Sequence, residues 1–204
     1  EFRPITSDPT RIAALLNGDV DVIDRVATAD VNRLKDTQGI RVVSRAGERA
    51  VYLQPDVSRD ISPYVTDAAG QPINNPLRDV RVRKAMSMAI NREAIVSRIM
   101  DNQAVASGQI ATPGMFGHNP DLLPIAFDLD GAKALLAQAG YGDGFALTLH
   151  GPSDRLINGV QVMEAVAQMW TRLGIATRVE SVPSSTYFSR KGAGGERGTP
   201  EFSI

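Results

Sequence analysis

The chain has 204 residues and no cysteine. Disulfide frameworks, Cys-ligated zinc and a cysteine nucleophile are therefore excluded. The same absence is compatible with a secreted bacterial protein. Histidine is nearly as scarce. His118 and His150 stand far apart, without HExxH spacing, whereas metal sites draw on clustered ligands. An excess of either charge is also missing: 22 Lys plus Arg face 23 Asp plus Glu, a net charge of −1. That balance argues against a nucleic-acid-binding surface as the main business. No run of about 18 apolar residues exists, so no helix has the length and hydropathy to span a membrane.

Several catalytic and nucleotide-binding signatures are absent as well. The glycines of GAGGERG are not followed by Lys-Ser or Lys-Thr, so they make no phosphate loop. Where a dinucleotide fingerprint needs its last glycine, the chain has Arg197. There is no GxSxG elbow. Asp19, Asp21 and Asp24 cluster, but without the ligand spacing, glycine and distal glutamate of a calcium loop. They read as polar positions around a short strand. Nothing in the spacing pairs two carboxylates in space, and no assembled active site is visible.

What the chain does have is helical periodicity. In residues 76–99, PLRDVRVRKAMSMAINREAIVSRI, Val82, Ala85, Met86, Ala89 and Ile90 share one face. Asp79 is placed to cap a first helix and Asn91 a second, with Glu93 in the favourable first turn. Arg81, Arg83 and Lys84 predict a solvated basic face opposite the core.

Upstream, Asp8 and Pro9 predict a helix start, with Ile12, Leu15 and Leu16 as its buried stripe. Strands are expected over 20–23, 40–44 and 50–54, with a short helix near 29–35 between the first two. The prolines and glycine of 55–78 predict a long loop, which lines a ligand site or covers an edge. Downstream, TPGMFGHNPD puts Phe116 on a glycine-flexed turn, where an aromatic contacts a ligand or anchors the loop. Asp128 or Asp130 caps a helix running to residue 139. A strand over 145–150, a helix over 158–173 and a strand over 175–182 predict a parallel βαβ unit, and so an α/β or mixed class. Ser184 is placed to cap a short helix, and a last strand is expected over 201–204. Arg155 sits where the first of these strands turns into the long helix. Ligands of open α/β sheets bind near strand carboxyl ends, and an arginine there can clamp a carboxylate. The alternative is pairing with Asp154 or solvent. The strand-like ends EFRPI and PEFSI predict a piece of a longer protein, for which a missing export signal is uninformative.

The ordered strings FRPITSDPTRIAALLNGDVDVI, PLRDVRVRKAMSMAINREAIV, FDLDGAKALLAQAGYGDGFALTL and MEAVAQMWTRLGIATRVESV cover nearly the whole chain. Together they resemble the family 5 extracellular solute-binding proteins of bacterial ABC importers, the peptide and nickel group. DVRVRKAMSMAINREAIV is the most specific of the four.

The resemblance implies a type II periplasmic binding fold, an α/β architecture with a mixed sheet flanked by helices and two lobes closing by a hinge. Residues 1–50 would be the C-terminal part of the first lobe. Residues 51–204 would be the second, stopping before a Gly-Trp motif and the return to the first lobe. It also implies a non-enzymatic periplasmic subunit, without cofactor, metal or nucleic-acid partner. Such a subunit is a monomer that delivers a small peptide or similar solute to permease subunits. A sensing protein on the same fold and an α/β hydrolase are the alternatives. Ligand contacts are expected at Tyr52, Gln54, Phe116 and Arg155. Residues 51–54 match a tyrosine-rich strand at the lobe crossing, although Pro55 and Asp56 depart from the pattern. The family register puts the carboxylate-binding arginine of some dipeptide binders near Ser153, two positions from Arg155.

Overall fold

Asp79 and Asn91 cap the two helices of the 76–99 stretch. The computed structural model, which describes residues 1–45 and 47–191, has α3 at Val80–Met88 with the Asp79 carboxylate accepting from Arg81 N at 2.7 Å. Asn91 Oδ1 accepts from Ala94 N at 2.9 Å to start α4, Arg92–Arg98. Each cap satisfies an amide that the helix start leaves without a partner. Val82, Ala85, Met86, Ala89 and Ile90 are buried, as their spacing predicts. Arg81 and Lys84 are exposed as their spacing predicts, and Arg83 is half-buried. Arg83 Nη1 donates to the carbonyls of Leu77 and Arg78, and Arg81 Nη1 to that of Gln138. These guanidinium groups staple neighbouring turns rather than only facing water.

A four-stranded mixed sheet of order β2-β1-β3-β4 forms the scaffold. β1, Ile61–Thr66, pairs antiparallel with β2, Pro72–Asn74. β3, Phe145–Pro152, runs parallel to β4, Ile175–Val182, through eight paired residues. β1 meets β3 only through Val65–Leu147 and Thr66–Ala146. α6, Gly159–Leu173, connects β3 to β4. It buries Met163, Val166, Ala167, Trp170 and Leu173 at three- and four-residue spacing, and Trp170 Nε1 donates to Met86 O at 3.0 Å. Gly144 and Gly174 lie where β3 and β4 begin. Both have positive φ, and a Cβ on Gly144 would collide with the Gly174 carbonyl. α5, Leu129–Gln138, is capped by Asp128 rather than Asp130 and packs on α3. The main apolar cluster runs from Val65 to Ile175, with Leu77, Leu136, Phe145 and Leu149 at its centre.

Several expectations are corrected. The 55–78 stretch is not one long loop. It holds β1, β2 and a 3₁₀ turn at Pro76–Arg78. Its prolines occupy tolerated places: Pro72 opens β2, and Pro63 lies where β1 has left β3. The connecting turn is closed by the Asp67 carboxylate, which accepts from Ala69 N and Gln71 N. Conversely, 20–23, 40–44 and 50–54 are not strands. Alternating apolar residues make a segment fit for a sheet, but a ladder needs a neighbouring strand, and none lies beside them among the described residues.

α1, Asp8–Leu16, is capped by Ser7 rather than Asp8, whose carboxylate instead pairs with Arg11 at 2.5 Å. Of its predicted stripe, Ile12 is buried and Leu16 is exposed. α2 spans Thr28–Lys35. Ser184 is the first residue of α7, Ser184–Lys191, rather than its cap. The glycine-rich loop over 192–198 and the strand expected over 201–204 lie outside the described residues.

Candidate functional site

Because β3 and β4 are parallel, their carboxyl ends lie side by side, and Ser153 N donates to Val182 O at 2.8 Å. The loop that follows β3 exposes Ser153, Asp154 and Arg155. Asp154 does not pair with Arg155. Its Oδ1 accepts from Ser184 N at 2.8 Å, so it caps α7 from thirty residues away. That hydrogen bond holds the Asp154 carboxyl below the usual carboxylate range. Arg155 instead lies over the Phe188 ring of α7, with Cζ 5.4 Å from the centroid, a cation–π arrangement. The loop therefore presents a guanidinium on an aromatic platform, beside a helix start whose first amide is already occupied. Such a group can take a carboxylate by two parallel hydrogen bonds.

The other expected contacts are dispersed along the chain. Tyr52 and Gln54 are exposed on the segment entering the body. That segment is anchored just beyond them. Buried Asn75 donates from Nδ2 to Asp56 O and Arg59 O, and its backbone amide donates to Asp60 O. Asp56 and Arg59 approach to 3.5 Å as a shielded ion pair. Phe116 is fully exposed at the tip of the 104–127 loop. Gln109 closes that loop, with Nε2 donating to Asn119 O at 2.6 Å and Oε1 accepting from Asn119 N at 2.9 Å. Among the described residues no hydrogen bond, ion pair or ring contact joins any two of Tyr52, Gln54, Phe116 and Arg155.

A second grouping lies on the sheet face away from the main cluster. A depression of about 450 Å³ is lined there by Tyr64, Thr66, Thr148, Thr177 and Arg178, among others. None of the four expected contacts lines it. Beside it, buried His150 packs edge-on against Tyr64, and its Nε2 is 3.6 Å from Glu180 Oε2. Arg178 and Arg190 reach the same carboxylate. Burial lowers the His150 pKa, Glu180 opposes that, and Arg190 and Arg178 add to it. Among the described residues neither ring nitrogen of His150 has a hydrogen-bond partner.

Sequence reasoning missed Asp154 as a cap, along with Asn75, Gln109 and Asn158, whose side-chain amide donates to Thr28 Oγ1 and Ile99 O. The Asn-Gly pair at 158–159 is a turn signal that marks the last of these. The others act on backbone remote in sequence, which spacing does not reveal.

Residues 1–196 match the family described as bacterial extracellular solute-binding proteins, family 5 middle. The dipeptide-binding protein of Escherichia coli (strain K12) is 27% identical over 190 residues, which are 91% of this chain and 33% of that protein. Heme-binding protein A of Haemophilus influenzae is 24% identical over 184 residues, 89% of this chain and 31% of that protein. Among solved structures, the dipeptide-binding protein of Pseudoalteromonas sp. SM9913 in complex with Met-Leu superposes with a TM-score of 0.75 at 21% identity. It covers 97% of this chain and 36% of its own. This chain thus spans about a third of the length of the curated relatives it matches. The mixed α/β fold is that of these binding proteins, and the named relatives are solute-binding proteins. With the family matched over almost its whole length, the chain belongs to the bacterial extracellular solute-binding proteins of family 5.

Proposed function

We propose that this chain is part of the substrate-binding subunit of an ABC importer. The subunit captures a small peptide or similar solute in the periplasm and hands it to the permease subunits. The observation that carries this reading is the family match over residues 1–196. The exposed loop at the carboxyl ends of β3 and β4 agrees with it, because that is where open α/β sheets take their ligands. Residues 1–50 belong to the first lobe and residues 51–204 to the second. The apolar cluster supports that division: it begins at Val65, with Leu53 packed against it, and includes nothing from the first fifty residues. Tyr52, Gln54, Phe116 and Arg155 face the solute from the second lobe, and Arg155 takes its carboxylate. The protein works as a monomer, without cofactor, metal or nucleic acid, and catalyses no reaction. The solute holds the two lobes closed by touching both.

The test uses the full-length protein. Mass spectrometry of whatever copurifies with it, followed by calorimetry with di- and tripeptides, is expected to give stoichiometric binding. Arg155→Ala should weaken that binding by roughly ten- to a hundredfold, the range for a hydrogen bond to a charged group. Turnover of a peptide substrate, or indifference to every peptide and copurified solute, would overturn the reading.

A further inference from the structure

Four non-glycine residues among those described have a left-handed backbone: Arg25 at φ 51°, Asp101 at 47°, Asn102 at 59° and Asn158 at 53°. Asp and Asn visit that conformation readily as single residues, so Arg25 is the one of the four that needs surrounding contacts to hold it. All four lie on the three stretches that meet at Asn158.

The Asn158 side-chain amide donates to Thr28 Oγ1 at 2.7 Å and to Ile99 O at 2.6 Å. At the N-cap of α6 its side chain would be expected to accept from a first-turn amide, yet it makes no such bond. Ile99 is the C-cap of α4, and its carbonyl is among those a helix end leaves without an intrahelical partner. Asp101 and Asn102 form the turn after it, with Asn102 N donating to Val96 O at 2.9 Å. Thr28 opens α2 and is 4% exposed. Arg25, three residues earlier, is held by Arg11, which donates to Arg25 O at 2.9 Å. A second polar tie runs in parallel, from Ser44 Oγ to Gln103 Oε1 at 3.1 Å. The apolar residues of α2, Val31 and Leu34, are buried but stand outside the main cluster. The hydrogen bonds between residues 1–50 and this corner of the body run from Asn158 to Thr28 and from Ser44 to Gln103.

We propose that Asn158 is a latch. It fastens residues 1–50 to the body three residues from Arg155 through its bond to Thr28, while its bond to Ile99 holds the amide in place from within the body. The hydrogen bonds named across this junction, Asn158 to Thr28 and Ser44 to Gln103, are directional and need no apolar surface to be dewetted, so a polar latch suits a clamp that cycles. A solute seated on the Arg155 loop favours its closure. Asn158 is therefore a positioning residue for that loop. The role in closure rests on the solute-binding reading, whereas the latch itself does not.

The experiment is hydrogen–deuterium exchange of the full-length protein with no solute added, so that failure of peptide binding leaves it readable. Asn158→Gly removes the amide while allowing the left-handed backbone. Thr28→Val removes the hydroxyl acceptor, and Thr28→Ser keeps it. Asn158→Gly and Thr28→Val are each expected to raise exchange of residues 28–35 and 99–103 by tenfold or more. The double variant should go no further than either single one. Thr28→Ser should exchange like the parent, and β3 and β4 should not change in any variant. Unchanged exchange over 28–35, an equal rise through β3 and β4, or a Thr28→Ser protein that behaves like Thr28→Val would overturn the latch. If Asn158→Gly fails to fold, the Thr28 pair decides the matter alone.

Discussion

Trp170 and Arg11 fill matching stations in two differently built regions. Trp170 is buried in the body among Met86, Met163, Val166 and their neighbours, and its Nε1 donates to Met86 O. Arg11 organises the first twenty-five residues through polar contacts. Its guanidinium donates to Ile5 O, Asp24 O and Arg25 O and pairs with Asp8. Around Trp170 the apolar cluster is continuous from Val65 to Ile175. Around Arg11 only Ile12 is buried in α1, while Val22 and Val43 in the same region stay 83% and 78% exposed. One region is held by area removed from water, which is non-directional and large in sum. The other is held by a few aimed donors, each with a modest net contribution. The body can therefore serve as a rigid carrier, and the N-terminal segment as a part whose position is set by discrete bonds.

The comparison breaks most visibly at Trp170. Trp170→Ala in the full-length protein should cost about 3–5 kcal/mol, the range for deleting a buried aromatic side chain. The Met86 carbonyl also loses its donor. Urea unfolding followed by circular dichroism measures the cost, and a loss below about 1 kcal/mol would mean that the cluster is not the foundation of the body.

Acid is the next lever. Burial lowers the His150 pKa from its ordinary 6.5. Above that value both folded and unfolded chains hold the ring neutral, and the titration of His150 has no effect on stability. As pH falls below 6.5 the unfolded chain takes up the proton first, so stability drops until the folded pKa is reached. Asp79 and Asp154, lowered from 3.8 by hydrogen bonds from Arg81 and Ser184, lose their stabilisation only as pH falls through that value and below. The two windows are separate. Between pH 7 and pH 5 the urea midpoint should fall in the parent, and it should fall less in His150→Phe. Identical slopes would assign the acid loss to other groups.

A smaller effect is expected at a helix start. Asn91→Ala removes the acceptor for Ala94 N and should cost about 1 kcal/mol, as N-cap truncations do. Asn91→Asp should recover most of it, since the carboxylate also accepts and favours the helix dipole. Urea midpoints of the three proteins make the test, and equal loss in both variants would rule out capping as the cause.

Asn91 also marks how far the sequence could be read. Caps, stripes and the βαβ order are local patterns, and Asp79, Asn91, Asp128 and the α6 stripe follow from spacing of four residues or fewer. β1 and β2 were masked by prolines whose harmlessness depends on which edge they face. The strands expected before residue 55 fail for the converse reason, since β-propensity is realised only beside a partner. At the site, Arg155 is found at a strand end as its position suggested. Its platform, Phe188, and the Ser184 amide taken by Asp154 lie on a helix about thirty residues further on. No periodicity encodes such a meeting, because the parallel register of β3 and β4 creates it.

Arg11→Lys sharpens the contrast at the smallest scale. Lysine keeps the charge and the aliphatic stem but loses the planar fork that reaches Ile5, Asp24 and Arg25 together. If the N-terminal segment is positioned by aimed donors and contributes little to the common core, the urea midpoint should shift by no more than about 0.5 kcal/mol, as at ordinary surface sites. Hydrogen exchange should nonetheless rise around α1 and over residues 24–28, next to Thr28 and the Asn158 node. A midpoint loss approaching that of Trp170→Ala would mean that the two regions unfold as one cooperative unit. The distinction between a rigid body and a bond-positioned segment would then be wrong.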